Sequence, residues 1–154
     1  MEKPSIKLNL GCGKEPIPEF INLDKLNGWL WENGLTYPDR SVDAITVSHS
    51  LMYVESSYFP FIFLELFRVL KIGGVLRITE DATDDPNGAR FGGHPETVSF
   101  PRECTFKNLM MFVGFQSVYS CAADETHFID KTLCQDLHGG RPKVFFIEGF
   151  KGNE

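Results

Sequence analysis

The chain has 154 residues and a mass of 17.4 kDa, room for one ordinary domain of about 100 to 200 residues over positions 1–154. Hydrophobic residues make up 42% and aromatic residues 13%, with 14 Phe, which excludes a disordered segment and is enough to bury a core. Lys and Arg number 15 against 21 Asp and Glu, a net charge of -6 and a pI near 5.2, which is the wrong sign for affinity built on phosphate neutralisation, so no nucleic-acid partner is expected.

The opening Met1-Glu2-Lys3-Pro4-Ser5 has no basic stretch followed by an apolar run of the kind that signals secretion. The most apolar window, Tyr58 to Leu70, is shorter than the roughly 18 residues a membrane span needs and holds Glu65 and Arg68. A cytoplasmic protein with no membrane partner is the expectation. Cys12, Cys104, Cys121 and Cys134 form no C-x-x-C pair, and His127, Cys134 and His138 lack compact ligand spacing, so free thiols and no metal site are expected.

Ile6-Lys7-Leu8-Asn9-Leu10 alternates apolar and polar residues and runs into Gly11-Cys12-Gly13, which predicts a first strand ending in a tight glycine turn. Phe20 to Asp24 is a second short apolar run. The six residues between Gly13 and Phe20 include Pro16 and Pro18, which leaves no place for a regular crossover helix. A short irregular strand is expected within Gly28 to Tyr37, interrupted by the Asn33-Gly34 turn. Asp43 to Ser48 predicts a clearer strand, entered by the turn Tyr37-Pro38-Asp39-Arg40.

A helix follows, capped by Ser56 or Ser57, with Pro60 in its first turn and Phe59, Phe63, Leu66, Phe67 and Leu70 as its apolar stripe; Gly73-Gly74 is its stop. Val75 to Thr79 is β-branched and apolar, as a buried strand requires. After the polar, glycine-rich stretch from Asp81 to Val98, residues Phe106, Leu109, Met110 and Val113 predict a second helix ending at Gly114. Gln116 to Ala122 and Lys143 to Phe150 read as a final antiparallel pair. Strands alternating with helices and closing on such a pair argue an open α/β sheet, mostly parallel, with one reversed strand near the C-terminus.

In such a sheet, ligands bind outside the carboxyl ends of the strands, where the order of connection reverses. Gly11 and Gly13 permit a close backbone approach there, although a glycine turn serves structure as readily as a ligand. Asp24, at the second strand end, offers two acceptor oxygens suited to a ribose diol. A dinucleotide fingerprint wants a third glycine where Pro16 stands, a helix N-terminus for the pyrophosphate and an acid about 20 residues on, whereas Asp24 lies 11 residues after Gly13. A cofactor with a ribose and no phosphate fits better, and S-adenosylmethionine is one.

Leu8-Asn9-Leu10-Gly11-Cys12-Gly13 and Phe20-Ile21-Asn22-Leu23-Asp24 resemble the opening of a short class I S-adenosylmethionine-dependent methyltransferase with an abbreviated first helix. Leu35 to Ile45, then Ser48-His49-Ser50-Leu51 at the place of the family's His-x-Leu motif, then Leu66 to Ile78 with Ile72 where relatives carry Pro, are similar to its later blocks, so the match runs from Ile6 to Glu80. The resemblance implies a Rossmann-like open twisted sheet with helices on both faces. It implies that Gly11, Cys12 and Gly13 line the methionine and ribose, that Asp24 takes the ribose hydroxyls, and that Asn33, Gly34 and Leu35 meet the adenine edge. Ser48 and His49 would face the sulfonium and the acceptor. Relatives often place an acid before that Leu and continue His-x-Leu with Glu-His; here Asn33-Gly34 and Met52-Tyr53 stand instead.

His49 is the candidate base for a protonated acceptor, its competing role being that of a hydrogen-bonded structural residue after a strand. Asp81 and His94 border the stretch where acceptors would enter, and Trp29 and Trp31 are either adenine shelter or core. The function expected is methyl transfer to a small-molecule or glycan-type acceptor. The alternatives are a non-catalytic cofactor-binding or partner domain of the same fold and a nicotinamide-dependent oxidoreductase. A homodimer whose second copy covers the open cleft is a further expectation.

Overall fold

The alternation at the N-terminus becomes β1 (Lys7–Leu10), whose Leu8 and Leu10 enter the core while Asn9 is buried on the opposite face. The computed structural model describes residues 3–13, 16–81, 99, 102–121 and 144–153, with Asp81, Cys121 and Val144 described by backbone alone. β2 (Ile21–Leu23) pairs parallel to β1, and the described residues between them hold turns and no helix, as the prolines require. β3 (Val42–Ser48) lies parallel on the other side of β1. After α1 (Phe59–Val69) the chain enters β4 (Leu70–Asp81), then α2 (Glu103–Val113), β5 (Gln116–Cys121) and β6 (Val144–Phe150).

Among the described residues six strands form one sheet in the order β2-β1-β3-β4-β6-β5. β6 is the reversed strand, antiparallel to β4 and to β5. This is the open, mostly parallel α/β architecture that the alternation of elements implies. The order reverses between β1 and β3, so the carboxyl ends of β1, β2 and β3 flank a switch point.

α1 begins after a turn at Ser56–Tyr58, and Tyr58 is its N-cap with no side-chain cap bond, so neither Ser56 nor Ser57 caps it; Pro60 stands in the first turn. Its buried face is Phe59, Ile62, Phe63, Leu66 and Val69, with Phe67 at the margin. Fully burying one such side chain contributes about 1.5 to 3 kcal/mol, so this face accounts for most of the helix's stability in an 11-residue segment too short to persist alone. α2 buries Phe106 and Met110 against the same layer, with Phe63 and Phe106 rings stacked at 5.8 Å. Both α-helices among the described residues therefore cover the face carrying Leu8, Ile45, Leu76 and Ile147. Gly114 ends α2 in the left-handed conformation, φ 117°.

Two further expectations change. Gly73-Gly74 does not stop α1, which ends at Val69; strand pairing resumes at Leu70 opposite Val42, and the irregularity before Ala44↔Val75 absorbs the glycines, Gly73 with φ 84°. The stretch from Gly28 to Tyr37 contains no strand but a 3-10 turn at Trp31–Asn33. No helix among the described residues is long and apolar enough to cross a membrane.

A clamp fixes the segment that leads into β3. Arg68 donates to Glu65 Oε1 at 2.8 Å, to Asp39 Oδ1 at 2.8 Å, and to the carbonyls of Leu35 and Tyr37 at 2.9 and 2.8 Å, while Glu65 Oε2 accepts from Leu35 N–H at 3.0 Å. The Arg68 bond holds the Glu65 carboxyl below its ordinary value against the opposing effect of burial. A depressed native pKa stabilises the fold above the unfolded value and ceases to do so as pH falls through the native one. Glu65→Gln is therefore expected to lower the unfolding temperature at neutral pH, with the gap from wild type closing below about pH 4.5. Thermal unfolding across an acid series measures it.

Candidate active site

At the switch point the tips of β1, β2 and β3 enclose a cleft of about 580 Å³, within the range of small-molecule sites. Gly11, Cys12, Gly13, Asp24, His49 and Ser50 form its polar side. Trp29, Leu30, Trp31, Leu26, Tyr53 and Val54 form the apolar side, with the two indole rings edge-on at 4.8 Å.

Gly11 sits where no other residue fits. Its φ is 68°, its N–H donates to Leu23 carbonyl at 2.7 Å, and a Cβ there would overlap Ser50 Cβ and Oγ. Gly13 has φ 53° and no atom near the position a Cβ would take, so the main chain is bare there. Gly13 N–H donates to Asp24 Oδ2 at 3.0 Å, and Asp24 Oδ1 accepts from Leu26 N–H at 3.0 Å. One carboxylate thus ties the tip of β1 to the turn after β2, leaving one further lone pair on each oxygen for a ligand. Cys12 remains a neutral thiol at physiological pH, because burial first and the Asp24 charge second push its pKa up.

His49 follows β3 in the left-handed region, φ 49°, buried at 5% exposure yet lining the cleft. Its N–H donates to Thr79 carbonyl at 2.8 Å, fixing the strand-tip turn to β4. Ser48 is half-buried outside the cleft lining, its Oγ without a hydrogen-bond partner among the described residues.

The structure does not bring Asn33, Gly34 and Leu35 to this cleft. The 3-10 turn at Trp31–Asn33 directs Trp31 and Glu32 to it, and the following backbone is engaged elsewhere. Trp29 Nε1 donates to Gly34 carbonyl at 3.1 Å, and Leu35 N–H and C=O are held by Glu65 and Arg68. The cleft is lined beside this turn by Leu26, Leu30 and Trp31. Asp81 is described by backbone alone, and His94, His127, Cys134 and His138 lie outside the described residues. Among the described residues no group of His, Cys, Asp and Glu could hold a metal.

Two residues that organise the site carry little signal in sequence. Asn22, in mid-strand, takes the amide of Asn9 at 2.9 Å and Ile17 N–H at 2.8 Å on its Oδ1, and its Nδ2 donates to the carbonyls of Ile17 and Phe20 at 3.1 and 2.9 Å. It does for the short β1–β2 connection what a helix does in a longer one; the hint was an Asn in a strand, where that residue is disfavoured. Glu80, at the end of β4, is fully buried and accepts from Ser50 and Leu51 N–H.

Residues 31–78 match a sequence family described as a methyltransferase domain. Across nearly the whole chain the backbone superposes on a SAM-dependent methyltransferase from Archaeoglobus fulgidus, with a TM-score of 0.67, 13% identity, and 96% and 86% of the two chains covered. The chain has the class I methyltransferase fold. A putative methyltransferase from Haloferax volcanii, solved in complex with the Trm112 methyltransferase activator, shares this fold at TM-score 0.65 and 12% identity over 100% of this chain and 85% of that one. So does phosphoethanolamine N-methyltransferase 2 of Haemonchus contortus, solved in complex with S-adenosyl-L-methionine, at 0.65 and 12% over 99% and 50%. No curated protein matches the chain in sequence. Within the class I methyltransferase fold, the cleft at the β1 and β2 tips stands where the connectivity places a ligand.

Proposed function

We propose that the chain is an S-adenosylmethionine-dependent methyltransferase acting on a small-molecule or glycan-type acceptor. The observation that carries this reading is Asp24, whose carboxylate spans the β1 glycine turn and the turn after β2 on the polar side of the cleft, across from the apolar surface of Leu26, Leu30 and Trp31. The site fits the cofactor: bare main chain at Gly13, a carboxylate with spare lone pairs beside it, and apolar surface for a flat base. The described stretch from residue 16 to β2 has no helix to seat a pyrophosphate.

In this reading the backbone of Gly11, Cys12 and Gly13 holds the amino-acid and sugar portion, Asp24 accepts from the ribose hydroxyls, and Leu26 and Leu30 lie against the base. The cofactor supplies a methyl group activated on a sulfonium. The protein holds acceptor and cofactor in line, an orientation worth about 7 to 11 kcal/mol of barrier, and Tyr53 and Val54 exclude water from the reacting centre. His49, next to Ser48 at the β3 tip, takes a proton from a hydroxyl or amine acceptor on its imidazole.

A cytoplasmic location, a single domain and a homodimer whose second copy closes the cleft belong to the same reading; a sedimentation series showing only monomer at high concentration removes the last. The reading as a cofactor-binding partner domain differs in giving no methyl transfer to any acceptor of a broad panel. Calorimetric titration is expected to show micromolar binding of S-adenosylhomocysteine and none of NAD; the reverse order would establish a nicotinamide enzyme instead.

A further inference from the structure

We propose that Glu80 is a positioning residue of this site: one of its carboxylate oxygens sets the strand-tip turn that presents His49 to the cleft. The inference rests on the proposed function for its meaning, though not for its geometry. Glu80 is fully buried at the carboxyl end of β4, and its Oε1 accepts two consecutive main-chain donors, Ser50 N–H at 3.1 Å and Leu51 N–H at 2.9 Å.

Two successive N–H groups converge on one oxygen only when the chain curls around it, forming the concavity in which backbone amides bind anions. The curl is present: His49 has φ 49°, and Ser50 follows at φ -128° and ψ -24°. A non-glycine residue in the left-handed region is held there by its surroundings rather than by preference. Other restraints on the turn include His49 N–H on Thr79 carbonyl at 2.8 Å, Ser99 Oγ on Leu51 carbonyl at 3.2 Å, and the Ser50 and Leu51 carbonyls, which accept from Tyr53 and Val54 N–H at 3.1 Å each. The N–H groups of Ser50 and Leu51 go to Glu80, and Ser50 Oγ adds a long bond of 3.5 Å to Leu10 carbonyl.

Ser50 is also the residue against which Gly11 packs. A turn that relaxes away from Glu80 moves His49 and Ser50 together, and with them the wall that supports the Gly11–Gly13 loop. Glu80 is not among the residues that line the cleft, whereas His49 and Ser50 are, so its effect on ligand binding passes through the turn.

Because both donors meet the same oxygen, an acceptor is what the turn requires there, and a side-chain amide supplies one. The test compares the full-length protein with Glu80→Gln, which keeps an acceptor oxygen, and Glu80→Met, which keeps the volume and has none. Two readouts are taken: calorimetric affinity for S-adenosylhomocysteine and hydrogen exchange of the Ser50 and Leu51 amides. Glu80→Gln is expected to bind within about threefold of wild type and Glu80→Met at least about tenfold more weakly, with fast exchange at both amides only in Glu80→Met. Glu80→Met binding like wild type, or Glu80→Gln losing as much as Glu80→Met, would overturn the assignment. If the wild type ignores S-adenosylhomocysteine the proposed function fails, and amide exchange alone then decides: protection kept by Gln and lost by Met upholds the role of Glu80, equal protection in all three removes it. Should Glu80→Met not fold, Glu80→Gln decides, with protected amides and near-native affinity upholding the role and a tenfold loss refuting it.

Discussion

Asp24→Ala is expected to weaken S-adenosylhomocysteine binding about 100-fold while leaving the protein folded. Hydrogen bonds to a charged group are worth about 1.5 to 3 kcal/mol each, and loss of two ribose hydroxyl contacts at the lower figure gives about 3 kcal/mol, or two decades of affinity. The substitution also removes the internal bridge from Gly13 to Leu26, so loop order is lost together with the direct contacts. The fold survives because Asp24 is half-exposed and its role as the cap of the turn at Lys25–Asn27 is worth about 1 kcal/mol. Asp24→Asn separates the two contributions: the amide caps as well as the acid, but one of its two positions becomes a donor, so affinity is expected to fall about tenfold. Calorimetry on the three proteins, with thermal unfolding as the folding control, measures both. Equal affinity in all three would remove the ribose assignment and with it the main support for the methyltransferase reading.

What the sequence made legible follows from which signals are local. The alternation at Lys7–Leu10, the apolar run of β3 and the stripe of α1 are short-range patterns with one way to bury their apolar side, and each element formed within a few residues of its expected limits. Gly11 was legible as a close approach because only a missing Cβ answers that demand, although the atom it approaches, in Ser50, is 39 residues away. The wall of the cleft was harder to read. Trp29 to Leu35 has the composition of a strand, yet its polar backbone found partners in the indole of Trp29 and in Glu65 and Arg68, the last two distant along the chain and outside any local window of sequence. Gly73-Gly74 failed as a stop for a related reason: pairing with β3 outweighed the local preference of glycine, and a register shift accommodated it. Asn22 and Glu80 escaped notice because each acts mainly through hydrogen bonds to main-chain groups; Asn22 left only the hint of a disfavoured residue in a strand, and the residue type of Glu80 does not distinguish it from a solvated carboxylate.

Glu148→Ala is expected to cost about 3 to 5 kcal/mol of stability, the range for removing one partner of a buried ion pair. Arg77 on β4 and Glu148 on β6 face each other in register, both fully buried, with Nη1 to Oε1 at 3.1 Å. Tyr119 on β5 donates its hydroxyl to Glu148 Oε2 at 2.6 Å, and the Arg77 guanidinium lies 4.7 Å from the Phe146 ring centre. The carboxylate therefore links the three strands at the C-terminal side of the sheet, and truncating it leaves the guanidinium without that counter-charge where water does not reach. Glu148→Gln keeps the acceptor for Tyr119 and is expected to recover part of the loss. The site is separate: no residue of β6 lines the cleft, whose residues come from the tips of β1, β2 and β3 and the turns that follow β2 and β3. Below its lowered unfolding midpoint, Glu148→Ala is thus expected to bind S-adenosylhomocysteine as wild type does, the opposite pattern to Asp24→Ala. Denaturant unfolding paired with calorimetry in the folded range tests it, and a variant that loses affinity in proportion to stability would show that sheet and cleft are one cooperative unit.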